Sequence, residues 1–141
     1  MKHIGKHTVR VGDVANTFEV AFRGDLSMED TKQLLDFMIS ESAGWSYVLL
    51  TGDLSEMGKL SPDVRQTLAT LGRRLPPVRG IVYYRASFTV RVTNELVIRA
   101  YALLTGVDVA FHFVDDAAEA QAWLARRQEQ LTSKAQRQVS S

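Results

Sequence analysis

The fold of this chain is decided by one stretch, Tyr47-Val48-Leu49-Leu50-Thr51-Gly52-Asp53-Leu54-Ser55. Its first half is a continuous apolar run, which is typical of a strand covered on both faces of a parallel sheet. Its second half carries a carboxylate and a hydroxyl, and a helix start signal follows it. Open α/β sheets present their working residues where such strands end. The stretch therefore predicts a buried strand that ends in a polar turn at Asp53-Leu54-Ser55.

Similar runs predict the other strands. Residues 80–84 form a second continuous apolar run, and residues 109–114 form a mixed run with its bulky side chains on one face. Residues 8–11 and 17–23 alternate apolar and polar side chains, and turn-forming residues separate them. That alternation indicates a hairpin with one solvent-exposed face.

Each interval between the later strands has the start signal of a helix. Ser27, Ser61 and Ser87 stand at N-cap positions, and Pro62 fits the first helical position after Ser61. For the last helix, Asp115 and Asp116 are both suitable caps.

The order of elements predicts an α/β domain. It reads β-β-α-β-α-β-α-β-α, which gives a mixed five-stranded sheet with one antiparallel edge strand and four main helices. We expect residues 8–131 to form this single domain, between a flexible N-terminus at 1–7 and a flexible polar C-terminal tail at 132–141.

Composition argues against several classes of function. The chain has 141 residues and a net charge of +1, so no strong electrostatic attraction to nucleic acid is expected. It has no cysteine, which excludes disulfides and thiolate chemistry. Neither a signal peptide nor an apolar run of membrane-spanning length is apparent, and the predicted location is the cytoplasm.

The chain resembles the SpoIIAA-like proteins of the STAS superfamily, relatives of bacterial anti-sigma-factor antagonists. The resemblance covers about Val9 to Arg127. It rests on the element order and on two segments, Val48-Leu49-Leu50-Thr51-Gly52-Asp53-Leu54-Ser55 and Phe113-Val114-Asp115-Asp116-Ala117-Ala118-Glu119-Ala120-Gln121-Ala122-Trp123-Leu124. It implies a βα superhelix that acts by binding, with an architectural likeness to the lipid-binding domain of Sec14-type proteins.

Regulatory members of that family are switched off by phosphorylation of a serine at the start of the second helix. The matching residue here is Ser61, in Lys59-Leu60-Ser61-Pro62, without the preceding acid and the following glycine of the regulatory pattern. Ser61 is therefore a candidate phosphoacceptor, and a plain N-cap is the alternative.

Because parallel strands end at the same edge of a sheet, we expect one polar rim there. The predicted partner-binding rim comprises Asp53, Leu54, Ser55, Met57, Ser61, Arg85 and Ser87. Arg85 beside the helix start at Ser87 suits a carboxylate or a phosphate, or else Arg85 pairs with Asp53 or Asp115. The sequence thus favours a non-catalytic regulatory module that presents this rim to a partner protein.

No catalytic, cofactor or metal motif is apparent. His112 lies in the middle of its strand, away from Ser55, and His3 and His7 lack a third ligand nearby. We therefore predict no catalytic residue, no cofactor and no metal.

The third helix carries more apolar residues than one buried stripe requires. The predicted surface for a homodimer or for an apolar ligand comprises Val97, Ile98 and Tyr101. The alternative is that both sides of the helix are buried in an ordinary core. The second predicted function is accordingly that of a carrier or sensor of a small, lipid-like molecule.

Overall fold

A computed structural model describes the backbone of residues 1–140 and the side chains of residues 1–134. Over that range, six strands form one sheet: β1 Lys2–Ile4, β2 His7–Val11, β3 Thr17–Gly24, β4 Val48–Met57, β5 Val78–Tyr84 and β6 Ala110–Val114. The helices are α1 Met28–Glu41, α2 Pro62–Leu71, α3 Phe88–Thr105 and α4 Ala117–Ser140, and a 3₁₀ turn at Gly72–Arg74 follows α2.

The strands lie side by side in chain order. The pairs β1–β2 and β2–β3 are antiparallel, whereas the pairs β3–β4, β4–β5 and β5–β6 are parallel. The predicted α/β class and mixed sheet are confirmed, but the sheet has six strands instead of five.

The extra strand is β1, and it corrects the prediction that residues 1–7 are flexible. Gly5 adopts a positive φ of 58° and makes the tight turn that pairs Ile4 with His7. Ile4 and His7 are both buried. The sequence did not reveal this strand because three residues are too few for a recognisable alternation.

Helices cover both faces of the sheet. On one face, α1, α2 and α3 enclose the larger core around Phe18, Leu54 and Ile98. On the other face, α4 packs Ala120 and Leu124 against the central strands. The continuous apolar run in β4 follows from this arrangement, since alternate side chains enter two different cores.

The helix start signals are confirmed. The Oγ atoms of Ser27, Ser61 and Ser87 each accept a hydrogen bond from the backbone N–H three residues later, at 3.0, 3.2 and 3.3 Å. For α4 the cap is Asp116, whose Oδ1 accepts from the N–H of Glu119 at 2.9 Å. The caps fix where each connection from the sheet ends.

Two predicted boundaries are wrong. The strand β4 does not end before Asp53-Leu54-Ser55 but continues to Met57, because an extra residue in β4, between Asp53 and Glu56, lets Glu56 and Met57 pair with Arg23 and Gly24. Helix α4 continues to Ser140, so residues 132–140 are helical where a flexible tail was expected. The last residue of that predicted tail, Ser141, lies outside the described residues.

Candidate functional site

The carboxyl ends of the parallel strands bring the predicted rim residues to one edge of the sheet. Asp53 is level with Tyr84 in the next strand, and Tyr84 is level with Val114. Arg85 directly follows Tyr84, and the starts of α2, α3 and α4 follow the ends of β4, β5 and β6. The prediction that these junctions share an edge is confirmed.

Asp53 is the centre of the rim contacts. Its Oδ1 accepts a hydrogen bond from the backbone N–H of Ser55 at 3.0 Å, and its Oδ2 lies 3.7 Å from Nη1 of Arg85. Of the alternatives for Arg85, pairing with Asp53 is therefore the observed one. Burial, and then the negative charge of Asp53, raise the pKa of Tyr84, whose ring lies 5.7 Å from the guanidinium carbon of Arg85.

The backbone of Arg85 is strained. Its φ is 59°, in the left-handed region that residues with a Cβ adopt at a cost. Such strain is concentrated where the surrounding structure must aim a particular side chain. Here it directs the guanidinium toward Asp53 at the turn between β5 and α3.

The connections after β3 and β4 are tied together just before Ser61. Oδ1 of Asp25 accepts from the N–H of Lys59 at 2.7 Å, and the N–H of Gly58 donates to the carbonyl of Gly24 at 2.8 Å. A Cβ on Gly58 would come within 2.7 Å of the backbone nitrogen of Asp25. The approach to α2 is therefore close-packed, and it holds Ser61 in a fixed position.

Ser61 is exposed at the start of α2. Its Oγ is occupied as the N-cap, Pro62 follows it, and Asp63 is exposed in the same first turn. The hydroxyl is accessible for modification, and it also serves as the plain cap that was the alternative. The two roles are compatible because a phosphate on Oγ would still face the free N–H groups of the helix start.

Leu54 is wrongly assigned to the rim. It is buried, because successive side chains of β4 point to opposite faces and Leu54 enters the core beneath α1–α3. Met57 is partly buried, and its sulfur accepts from Nδ2 of Asn94 at 3.5 Å. We therefore define the exposed rim as Ser55, Ser61, Arg85 and Ser87, together with the partly buried Asp53 that pairs with Arg85.

Ile98 and Tyr101 are wrongly assigned to a dimer surface. Both are buried beneath α3, and the Tyr101 hydroxyl accepts from the N–H of Val78 at 2.9 Å. With Val97, they line a cavity of about 90 Å³ between the sheet, α2 and α3. Their predicted role as an apolar-ligand surface thus stays a prediction.

The cavity contains two polar groups that the sequence did not indicate. Asn94 is buried and donates from Nδ2 to the carbonyl of Val90 at 2.9 Å, and Tyr83 contributes its phenol. In the sequence, Tyr83 belongs to an apolar run and Asn94 to an ordinary helix. They come together only because α3 packs over β5 in the folded protein.

Burial raises the pKa of Tyr83 to about 12, whereas the unfolded chain has a value of 10.0. The folded state holds the phenol proton more tightly, so this contribution to stability is full below pH 10 and declines as the pH rises toward 12. We expect a loss on the order of 2–3 kcal/mol across that window, because each pKa unit corresponds to about 1.4 kcal/mol. Urea unfolding at a series of alkaline pH values measures it. Tyr83→Phe should lack this loss, and an equal loss in both proteins would contradict the assignment.

A polar cleft of about 330 Å³ lies on the α4 side of the sheet, next to Asp53. In it, Glu19 accepts from Arg10 at 2.6 Å and from Gln121 at 2.9 Å. The hydroxyl of Thr51 is buried in this region and has no partner among the described residues. These residues come from separate strands and a helix, so only the strand register could have predicted their proximity.

The histidines form no catalytic or metal constellation. His112 is level with Thr51 but two strands away, which is about 10 Å at the usual strand spacing, so it does not reach Ser55. His7 is buried, accepts from the N–H of Arg23 at 3.0 Å and lies 3.6 Å from Asp30. Within the described part of the chain, no group of three candidate ligands could hold a metal ion.

Comparison with known proteins supports the fold alone. No protein-family model matches the chain, and no curated protein matches it. An uncharacterised protein of the DUF3478 family from Shewanella loihica PV-4, with a SpoIIAA-like fold, is 20% identical with a TM-score of 0.61, over 88% of this chain and 98% of its own. The anti-sigma factor antagonist SpoIIAA, in its unphosphorylated form, is 11% identical with a TM-score of 0.58, over 85% of this chain and 97% of its own.

The chain therefore has a SpoIIAA-like fold, as the resemblance in its sequence implied. Among the helices that the structure describes, none combines the length and the apolar character that crossing a membrane would require.

Proposed function

Starting from the SpoIIAA-like fold, we propose that this protein is a non-catalytic regulatory module of the cytoplasm that presents the exposed rim and the start of α2 to a partner protein. The observation that carries the proposal is the convergence of Asp53, Arg85 and the capped helix starts on one edge of the sheet. That edge is where open α/β sheets place their binding residues.

The contacts of the rim favour recognition over catalysis. The Asp53 carboxylate holds the N–H of Ser55 and faces Arg85, while the hydroxyls of Ser61 and Ser87 cap helices. Asp53 thus links Ser55 to Arg85, each serine is held by its own helix, and the surface carries both signs of charge. A mixed-charge surface gives specificity for a partner with the complementary pattern.

The likeness in fold suggests how binding is controlled. One similar structure is an anti-sigma factor antagonist described in its unphosphorylated form. In this chain we take Ser61 as the regulated residue, because it is exposed at the start of α2 and lies on the proposed contact surface. A phosphate there adds about two negative charges beside Asp63, which changes the complementarity of the surface.

Aspartate at position 61 tests this control. We expect Ser61→Asp to weaken binding of a partner at least tenfold, since it adds a charge at the contact, whereas Ser61→Ala should retain binding. Quantitative affinity capture from native lysate, followed by titration of each captured protein, measures the effect. Ser46→Asp is the matched control, because Ser46 is exposed in the loop before β4, at the opposite edge of the sheet. Equal affinities for Ser61→Asp and the wild type would refute the switch.

The cavity beneath α3 supports a second candidate function, the carriage or sensing of an apolar molecule of only a few heavy atoms, since about 90 Å³ is well below the roughly 300 Å³ of the smallest usual ligand sites. Its walls are mainly aliphatic and aromatic side chains, and Asn94 and Tyr83 supply polar groups that would orient a ligand. Ligand sites commonly combine an apolar lining with a few polar groups in this way.

Native mass spectrometry of the freshly purified protein tests this candidate. We expect an adduct of constant mass that is lost on denaturation and is absent from Val97→Phe, which fills the cavity wall. Val92→Phe is the matched control, since Val92 lies on the outer side of the same helix and is exposed. An adduct-free wild-type mass would remove this candidate and leave the first proposal intact.

A further inference from the structure

The outward side of α3 carries four exposed apolar residues, and the exposed Arg99 interrupts them between Leu96 and Leu103. Phe88 is 82% exposed, Val92 42%, Leu96 54% and Leu103 88%. Their spacings of four, four and seven residues place them on one face of an α-helix. We call these four residues the α3 stripe.

The α3 stripe is not needed to hold the helix on the domain. The opposite side of α3 supplies the buried residues Asn94, Ile98 and Tyr101, which pack over the sheet. Next to the stripe, Leu104 lines a groove of about 440 Å³ between α3 and α2, and it is half exposed. Contiguous apolar surface of this kind marks an interaction site.

The charges beside the α3 stripe indicate which partner fits it. Arg99 lies between Leu96 and Leu103 on the same face, and its Nη2 lies 2.6 Å from Oε1 of Glu95, one turn earlier in the same helix. Along the helix, position 97 is halfway between Glu95 and Arg99. The centre of the α3 stripe, halfway between Phe88 and Leu103, lies next to Leu96, so the two centres nearly coincide. A two-fold axis here would lay the stripe on a copy of itself and set each Glu95 beside Arg99 of the other copy.

We propose that α3 packs antiparallel against α3 of a second copy of this chain, about a two-fold axis near Leu96. A two-fold interface requires that each contact be made twice with the roles exchanged, and the Glu95–Arg99 arrangement satisfies this requirement. In this arrangement, Glu95 and Arg99 of each copy face Arg99 and Glu95 of the other copy.

The size of the surface sets the expected strength. Eighteen helical residues extend over about 27 Å, and a helix is only about 10 Å wide. The contact is therefore smaller than the roughly 800 Å² per partner of a standard specific interface. The dimer is therefore weak and forms in a concentration-dependent manner.

Sedimentation equilibrium of the purified protein measures the association. We expect the wild type to pass from monomer to dimer as the concentration rises, and Leu96→Glu to remain a folded monomer because it places two like charges at the axis. Lys32→Glu, a charge reversal on the exposed side of α1, is the control and should dimerise like the wild type. A wild type that is monomeric at every concentration overturns the proposal.

Charge exchange tests the antiparallel register itself. Glu95→Arg and Arg99→Glu should each dimerise about tenfold more weakly than the wild type, because both copies then present like charges across the axis. Mixed together, the two variants should form a heterodimer with close to wild-type affinity, since each arginine pair now faces a glutamate pair. A mixture that associates no better than either variant alone overturns the register. None of these substitutions touches the exposed rim, so the outcome is independent of the Ser61 test.

Discussion

Replacement of Phe18 with alanine is expected to lower the free energy of unfolding by about 4 kcal/mol. Phe18 is 0% exposed, its ring stacks on Trp45 at a centroid distance of 5.0 Å, and Phe37 lies edge-on at 6.4 Å. These contacts join β3 to α1 and to the loop that leads into β4. Truncation removes buried apolar area and leaves a cavity, and domains of this kind have only about 5–15 kcal/mol of stability in total.

Urea unfolding followed by circular dichroism measures this difference, and Phe88→Ala is the matched control. It makes the same truncation at a side chain that is 82% exposed, so the stability of the monomer should change by less than about 0.5 kcal/mol. Similar losses in the two variants would mean that Phe18 is not in the core, and the packing of β3 against α1 would have to be revised.

Local chemistry made the helices predictable. A serine at the N-cap satisfies a backbone N–H three residues later whatever the rest of the chain does. Ser27, Ser61 and Ser87 accordingly cap α1, α2 and α3, as predicted. The end of β4 was not predictable, because Glu56 and Met57 are in a strand only through pairing with Arg23 and Gly24 across a bulge. That pairing depends on residues more than thirty positions away.

The candidate site was predictable only in part, for the same reason. Parallel strands guarantee that their carboxyl ends meet, so the edge holding Asp53 and Arg85 followed from the order of elements. Which neighbours point outward depends on the pleat, and this dependence is why Leu54, next to Asp53, proved to be buried. The positive φ of Arg85 could not be predicted either, because glycine is the residue that usually indicates such a backbone conformation.

The third helix shows most clearly what the sequence could not predict, namely which side of a helix faces the sheet. It has two apolar faces, and the sequence gives no means of deciding which one meets the sheet. Composition indicated a second apolar side, but Ile98 and Tyr101 were assigned to it. In the folded protein they lie in the core, and Leu96, two residues from Ile98, lies outside. Two residues correspond to about 200° around a helix, so the wrong choice reverses the helix.

Ile98→Glu is therefore expected to unfold the protein, whereas Leu96→Glu should leave the monomer folded. Ile98 is 4% exposed beneath α3, and a carboxylate at that position would lose its water without gaining a partner, at a cost of several kcal/mol. Leu96 is 54% exposed, and its replacement should change the monomer's stability by less than about 0.5 kcal/mol.

Circular dichroism and urea unfolding of the two variants, at a concentration where the wild type is monomeric, separate the two faces. Ile98→Ala is the milder companion, expected to remain folded but to lose about 3 kcal/mol. If Ile98→Glu were folded and Leu96→Glu were not, α3 would be turned by half a rotation. The α3 stripe would then lie in the core, and both the proposed dimer and the cavity beneath the helix would be refuted. If the opposite holds, the exposure of Leu96 is a property of the folded monomer, and a second copy can bind there without any rearrangement of the domain.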